Sequence, residues 1–273
     1  MLKAKVALPD GVVIGVDEGV PQGSPLSPLL SNIVLDELDT ELARRGHRFV
    51  RYADDCNVYV RSERAGTRVM ASLTGFLQWR LRPRINAGKS AVARPEDRHF
   101  LGFSLRIAQH GRRRTVEVLL SQRTKRNARA RVRELTPRTW GGTLESCILR
   151  VNAWLRGWHA FFGIASTEEQ QEMRRLDAHI RRRLRAILLH HWKRQRTIAR
   201  RLAALGVNPH AAWRAVYAGK KSTWALSHAP AVDNALRNAY FTRRGLISAA
   251  KLHRDKRPAI SAPAHPTMAL EQG

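Results

Sequence analysis

Two adjacent carboxylates, Asp54 and Asp55, stand in the run RFVRYADDCNVYVR, between two β-rich stretches. Tight turns between strands favour Asn-Gly or Asp-Gly, because those residues tolerate positive φ. Neighbouring carboxylates also repel at short range. The flanking positions are apolar in alternation, Val50 and Tyr52 before the pair and Cys56, Val58 and Val60 after it, so the pair is expected at the tip of a rigid strand-turn-strand. A local rule broken on a rigid element points to function. The chemistry that wants such an arrangement is phosphoryl or nucleotidyl transfer. Magnesium takes hard oxygen ligands, with one or two carboxylates completed by water and phosphate. Two such ions about 4 Å apart activate an attacking 3′-hydroxyl and stabilise a leaving pyrophosphate. Taken alone, an Asp-Asp pair is most often an ordinary polar turn, and its surroundings must decide.

The elements that would position the pair read as follows. Residues 1–20 lean towards β structure, with Val12-Val13-Ile14 as their apolar run. Pro21, Pro25 and Pro28 delay a helix in which Leu30, Ile33, Val34, Leu38 and Leu42 recur at helical spacing until Gly46. After the acidic pair, Val69, Leu73, Phe76 and Leu77 predict another helical face, followed by short strands near Ile85 and over 100–107. Beyond residue 110 the pattern is helical. Leu144, Ile148, Val151, Leu155 and Trp158 form one apolar stripe, and Met173, Leu176, Ile180, Leu184 and Ile187 another. Such stripes are walls of a helical bundle with basic outer faces.

The chain has 273 residues and a formal net charge of +27. Residues 1–110 carry 16 basic and 12 acidic side chains, whereas residues 111–273 carry 33 and 10. An excess so concentrated repels itself and implies a polyanionic partner. The basic residues spread over several helices and not along one amphipathic face, which favours nucleic acid over a membrane surface. No run of eighteen apolar residues predicts a membrane span, and Cys56 and Cys147 are too few for a disulfide framework or a four-ligand zinc site. A reducing, intracellular setting is expected. Six tryptophans (140, 154, 158, 192, 213 and 224) lie in the basic zone; stacking on unpaired bases is open to them, although four are expected in the core. His190-His191 has no carboxylate spaced to complete a metal site.

Tyr52-Ala53-Asp54-Asp55, preceded by Gly19-Val20-Pro21-Gln22-Gly23-Ser24-Pro25-Leu26-Ser27-Pro28-Leu29-Leu30-Ser31-Asn32 and followed by Asn86-Ala87-Gly88-Lys89-Ser90 and Phe100-Leu101-Gly102-Phe103, resembles the palm of a reverse transcriptase. Leu155-Arg156-Gly157-Trp158-His159-Ala160-Phe161-Phe162-Gly163, the run from Leu176 to Arg185, and Asn238-Ala239-Tyr240-Phe241 resemble the thumb or maturase domain of bacterial group II intron-encoded proteins. The resemblance spans residues 10–247 in the family's order of blocks. It implies an α+β chain: a partial palm of small antiparallel sheet and helices over 1–110, a helical thumb/maturase domain over 111–250, and a flexible tail over 251–273.

The resemblance also implies roles. Asp54 is the main metal ligand and Asp55 assists, holding magnesium in a two-metal site. Gln22, Gly23, Tyr52 and Lys89 face the incoming dNTP or the template, and Leu101 and Gly102 form the primer grip. Arg112, Arg113, Arg114, Arg123, Lys125, Arg126, Arg181, Arg182 and Arg183 are the candidates for RNA contact. The implied partners are intron RNA, an RNA template with a DNA primer, dNTP, and an N-terminal fingers/palm fragment, in the bacterial cytoplasm with no membrane. The family's third catalytic carboxylate lies on a strand well before Pro21; Asp10, Asp17 and Glu18 read instead as turn residues. The expectation is therefore an N-terminally truncated RNA-directed DNA polymerase, inactive alone and without the family's zinc endonuclease module. The alternative is a non-catalytic RNA-binding maturase that assists splicing.

Overall fold

The computed structural model describes residues 4–7, 13–16, 26–81, 88, 90–110, 113–219 and 222–255. It divides into two compact units, Met1–Phe100 and Leu101–Gly273. The division falls ten residues before the boundary expected at 110.

The first unit contains two antiparallel hairpins, β1 (Ala4–Ala7) with β2 (Val13–Val16) and β3 (Arg48–Tyr52) with β4 (Asp55–Tyr59), and helices α1 (Ser27–Arg44) and α2 (Glu63–Phe76). Proline in the first turn of α1 fits a position where its missing N–H is not needed. Of the predicted stripe on α1, Leu38 and Leu42 are buried, whereas Ile33 and Val34 are exposed, so only the C-terminal half of the helix is packed among the described residues. Gly66 of α2 permits close packing, since a Cβ there would lie 2.6 Å from Val92 Cγ1. The short strand predicted near Ile85 lies outside the described residues.

The second unit opens with a hairpin, β5 (Phe103–His110) against β6 (Arg113–Leu120), and continues with α3 (Gln122–Leu135), α4 (Leu144–Phe162), α5 (Gln170–His191), α6 (Gln195–Ala204), α7 (Pro209–Tyr217), α8 (Thr223–Leu226), α9 (Pro230–Ala235), α10 (Asn238–Thr242) and α11 (Ala249–Asp255). Residues 113–120, expected at the start of the helical zone, are thus a strand. Phe103 and Leu120 of this hairpin join the helical core, which explains why the unit begins before it. Ser121 and Thr143 cap α3 and α4 by accepting from Thr124 N and Ser146 N, each at 3.1 Å. Both predicted stripes are realised: Leu144, Ile148, Val151 and Leu155 of α4 and all five named residues of α5 are buried. Trp154, Trp158 and Phe162 follow one another along α4 at ring separations of 5.9 and 5.2 Å, and Phe162 meets Phe103 at 5.4 Å.

The chain after α10 is fastened to this core by polar side chains. Buried Asp177 accepts from Ser248 Oγ at 2.6 Å, Ala249 N at 2.8 Å and Ala250 N at 3.1 Å, so its carboxylate sits at the N-terminus of α11. Asn152 donates to Gly245 O and accepts from Ile247 N, while Gln170 donates to Ala250 O. Residues 249–255 accordingly belong to the helical unit and not to a tail. Asp177→Ala strands two backbone donors beside α5 and is expected to cost about 3 kcal/mol, read as a lower midpoint in urea unfolding.

A second consequence concerns pH. Burial, reinforced by the guanidinium groups of Arg183, Arg133, Arg129 and Arg182, holds the His179 pKa below its ordinary value. Protonation of His179 therefore favours the unfolded chain. The stability at stake is fully present above about pH 6.5 and is lost as pH falls below it. His228, lowered by burial and Arg182, acts in the same direction. The urea midpoint is expected to drop between pH 7.5 and 5.5, and to drop less in His179→Asn.

Candidate functional site

The β3–β4 register pairs Tyr52 with Asp55, leaving Ala53 and Asp54 as a two-residue loop. The tip lies one residue earlier than the sequence suggested: Ala53 and Asp54 turn the chain, and Asp55 is already the first residue of β4. Ala53 adopts φ 52°, a left-handed conformation that costs a non-glycine residue about 1 kcal/mol. Both aspartates are exposed, and no ion pair to either is described. Tyr52, 63 % exposed, stands across from Asp55 on the same face. The inward face carries Phe49 and Arg51, and not Val50 and Tyr52 as the alternation suggested.

Arg51 is what holds the tip. Its Nη1 donates to Ala53 O and to Asn32 Oδ1, each at 2.9 Å, and its Nε donates to Asp39 Oδ1 at 2.8 Å. One guanidinium thus ties the strained turn to α1, and the Asp39 carboxylate raises the Arg51 pKa. Sequence reasoning missed this trio. Its signal was present, since Asn32 and Asp39 are seven residues apart and share a face of α1, and an arginine occupies an inward strand position. Burial pushes up the pKa of the neighbouring Cys56 thiol, which therefore stays protonated at neutral pH.

Leu101 and Gly102 form the turn entering β5, with φ 51° and 83°. Gly102 O accepts from Thr124 Oγ1 at 2.7 Å and from Ser121 N at 2.9 Å, docking the turn onto the start of α3. A Cβ at Gly102 would meet Thr124 Oγ1 at 2.7 Å and Phe162 at 3.0 Å, so glycine is required by both conformation and space.

The basic candidates separate by environment. Arg114, Arg123 and Arg126 are exposed with no described partner. Lys125 is paired with buried Glu169 at 2.9 Å, and its ammonium is engaged there. Arg183 is buried, donating to Thr136 Oγ1 at 3.0 Å and to the Thr136 carbonyl, where it caps the end of α3 beneath Trp224. Both of these expected RNA contacts are engaged inside the fold, where they neutralise or satisfy other groups, which charge alone cannot reveal. Arg181 and Arg182 are half-exposed and open onto a recess formed with residues 233–239. Gln22, Gly23, Lys89 and Arg112 lie outside the described residues, and Arg113 begins β6. Among the tryptophans of the basic zone, Trp192 is buried, Trp140, Trp154, Trp158 and Trp224 are half-buried, and Trp213 is exposed and stacked on Tyr217 at 5.3 Å.

Residues 12–105 match the family model for reverse transcriptase (RNA-dependent DNA polymerase), and residues 125–204 match that for the group II intron, maturase-specific domain. The first match contains the whole acidic hairpin and the second runs from α3 to the end of α6. A comparison with curated proteins found no match. Among the described residues no helix is long and apolar enough to cross a membrane.

Proposed function

Because the chain belongs to the group II intron reverse transcriptase/maturase family, we propose that its acidic hairpin serves nucleotide transfer and that its basic helical unit holds intron RNA. The first of these readings rests on one observation above the others. Two exposed carboxylates without described ion-pair partners, one in the turn and one at the start of β4, sit where the strained turn is buttressed by Arg51, inside the segment that matches the polymerase family.

The donor set suits magnesium, being hard oxygen from two carboxylates. Among the described residues no three His, Cys, Asp or Glu side chains converge; magnesium commonly keeps water and substrate phosphates in its coordination shell. Bound there, magnesium would supply activation of the primer 3′-hydroxyl and charge stabilisation of the leaving pyrophosphate. Asp54 is the main ligand in this reading and Asp55 assists. Tyr52 borders the primer end beside them. Gln22, Gly23 and Lys89 are assigned to the incoming nucleotide and template, and the Leu101-Gly102 turn to the primer strand. Arg114, Arg123 and Arg126 contact RNA phosphates and support splicing from the same unit.

Primer extension on an RNA template with a DNA primer, dNTPs and magnesium tests the transfer reading, and titration of the same protein with intron RNA tests the binding reading. The Asp54 and Asp55 variants should separate the two. Arg51 supplies an independent check on positioning. Arg51→Met releases the Ala53 carbonyl without touching either carboxylate, and is expected to lower cDNA synthesis about tenfold to a hundredfold. Intron RNA binding should stay unchanged, and Arg51→Lys should restore part of the loss.

A further inference from the structure

Between α5 and the segment from α9 to α10 lies a cavity of about 530 Å3, within the size range of small-ligand sites. Four guanidinium groups line it, from Arg181, Arg182, Arg185 and Arg237, against the single carboxylate of Asp233. Asp233 is already paired with Arg185, whose Nε and Nη2 also donate to Leu236 O at 3.0 and 2.8 Å. Arg181, Arg182 and Arg237 are left with no described partner. The crowding is unfavourable within the protein itself: Arg185 has its pKa lowered first by burial, with Arg181 and Arg182 adding to the effect against the opposing pull of Asp233. Three cations without partners among the described residues, gathered in one recess, are matched by phosphate, which guanidinium groups bind through directed N–H donors. Asn234 and Asn238 add amide donors and acceptors to the same wall.

A second cavity of about 540 Å3 adjoins the first, and Asn234, Arg237 and Ala239 line both. Its character differs. Leu205, Val207 and Ala235 give it apolar walls, Tyr240 lines it with the Arg244 guanidinium 3.7 Å over its ring, and Asn208 and Arg243 stand at the same wall. A cationic recess joined to an apolar, aromatic one suits a ligand that is anionic at one end and flat and apolar at the other.

We propose that the paired recesses bind one unpaired, splayed-out nucleotide of intron RNA, its phosphates against Arg181, Arg182 and Arg237 and its base in the pocket beside Tyr240. Bases in a duplex are stacked and cannot enter such a cavity, whereas bases of loops and bulges can. The site joins α5, inside the maturase-specific match, to residues 230–243, which lie beyond both matched segments. It deepens the reading that the helical unit holds intron RNA, and rests on it.

Fluorescence anisotropy with a labelled octauridylate and an eight-base-pair RNA duplex tests the proposal. Arg237→Ala removes a shared cation, while Ala239→Trp fills the shared wall with charge unchanged and at an exposed position. Both variants should bind octauridylate about tenfold more weakly, with duplex binding less affected and with unchanged melting temperatures. Arg174→Ala, which removes the same charge from an exposed position elsewhere on α5, should stay within about twofold. Octauridylate affinity unaltered by Ala239→Trp overturns the proposal, as does an equal loss on duplex, which would make the recess a phosphate contact only. Should intron RNA still bind the wild-type chain in that event, the broader binding reading stands. If wild type binds neither RNA, the broader reading falls and the nucleotide site with it.

Discussion

Asp54→Ala is expected to reduce cDNA synthesis by a reconstituted polymerase at least about a thousandfold while leaving the chain's affinity for intron RNA within about twofold. The size follows from the chemistry. Nucleotidyl transfer requires little of the protein beyond holding ions and reacting oxygens in line, so loss of a direct metal ligand removes charge stabilisation and positioning together. The selectivity follows from the architecture. The carboxylates sit on the β3–β4 hairpin of the first unit, and the cations without described partners belong to α3, α5, β6 and the 230–243 segment of the second. Asp55→Ala should be less severe, in keeping with the assisting role assigned to it. Steady-state primer extension and intron RNA titration on the same preparations provide both readouts. Equal losses in the two assays would mean that the tip supports folding or RNA contact and not transfer.

The second large effect is on salt dependence. Arg114, Arg123, Arg126, Arg181, Arg182 and Arg237 have no described partner among the residues of the helical unit. If these six neutralise six phosphates, the association constant for intron RNA falls about a thousandfold between 50 and 200 mM monovalent salt. Replacing Arg123 and Arg126 together by Ala should make the logarithmic slope shallower by about 1.4 to 1.8. Lys125→Ala and Arg183→Ala should instead act mainly on stability, since one is paired with Glu169 and the other caps α3. A salt-independent affinity would remove electrostatics as the basis of binding.

What the sequence revealed and what it concealed divide along physical lines. Periodicity made α4 and α5 legible down to individual buried residues, because apolar side chains repeating every three or four positions have one way to leave water. Asp54 and Asp55 stood out because they broke a turn preference, yet the same preference misplaced the tip by one residue. Alanine is a poor choice at positive φ, and the Arg51 hydrogen bond to Ala53 O helps hold it there. Charge was legible and its environment was not: Lys125 and Arg183 look like their exposed neighbours until burial is known. The strand at 113–120 was hidden by its arginines, although Val116 and Val118 alternate within it. The packing of α11 was hidden for another reason, since a seven-residue helix has too little periodicity and is held by Gln170 and Asp177 from distant parts of the chain. The cationic recess likewise arises from residues more than forty positions apart, which no local pattern encodes.

The most direct measurement replaces magnesium with Fe2+ in the complex with RNA template, DNA primer and dNTP, and maps where hydroxyl radicals cut the polypeptide. A divalent ion gripped by the β3–β4 turn should cut the backbone around Ala53 to Asp55, and that cut should vanish in Asp54→Asn with Asp55→Asn. Cleavage confined to other segments and unchanged by those substitutions would contradict the assignment of the hairpin as the metal-bearing centre.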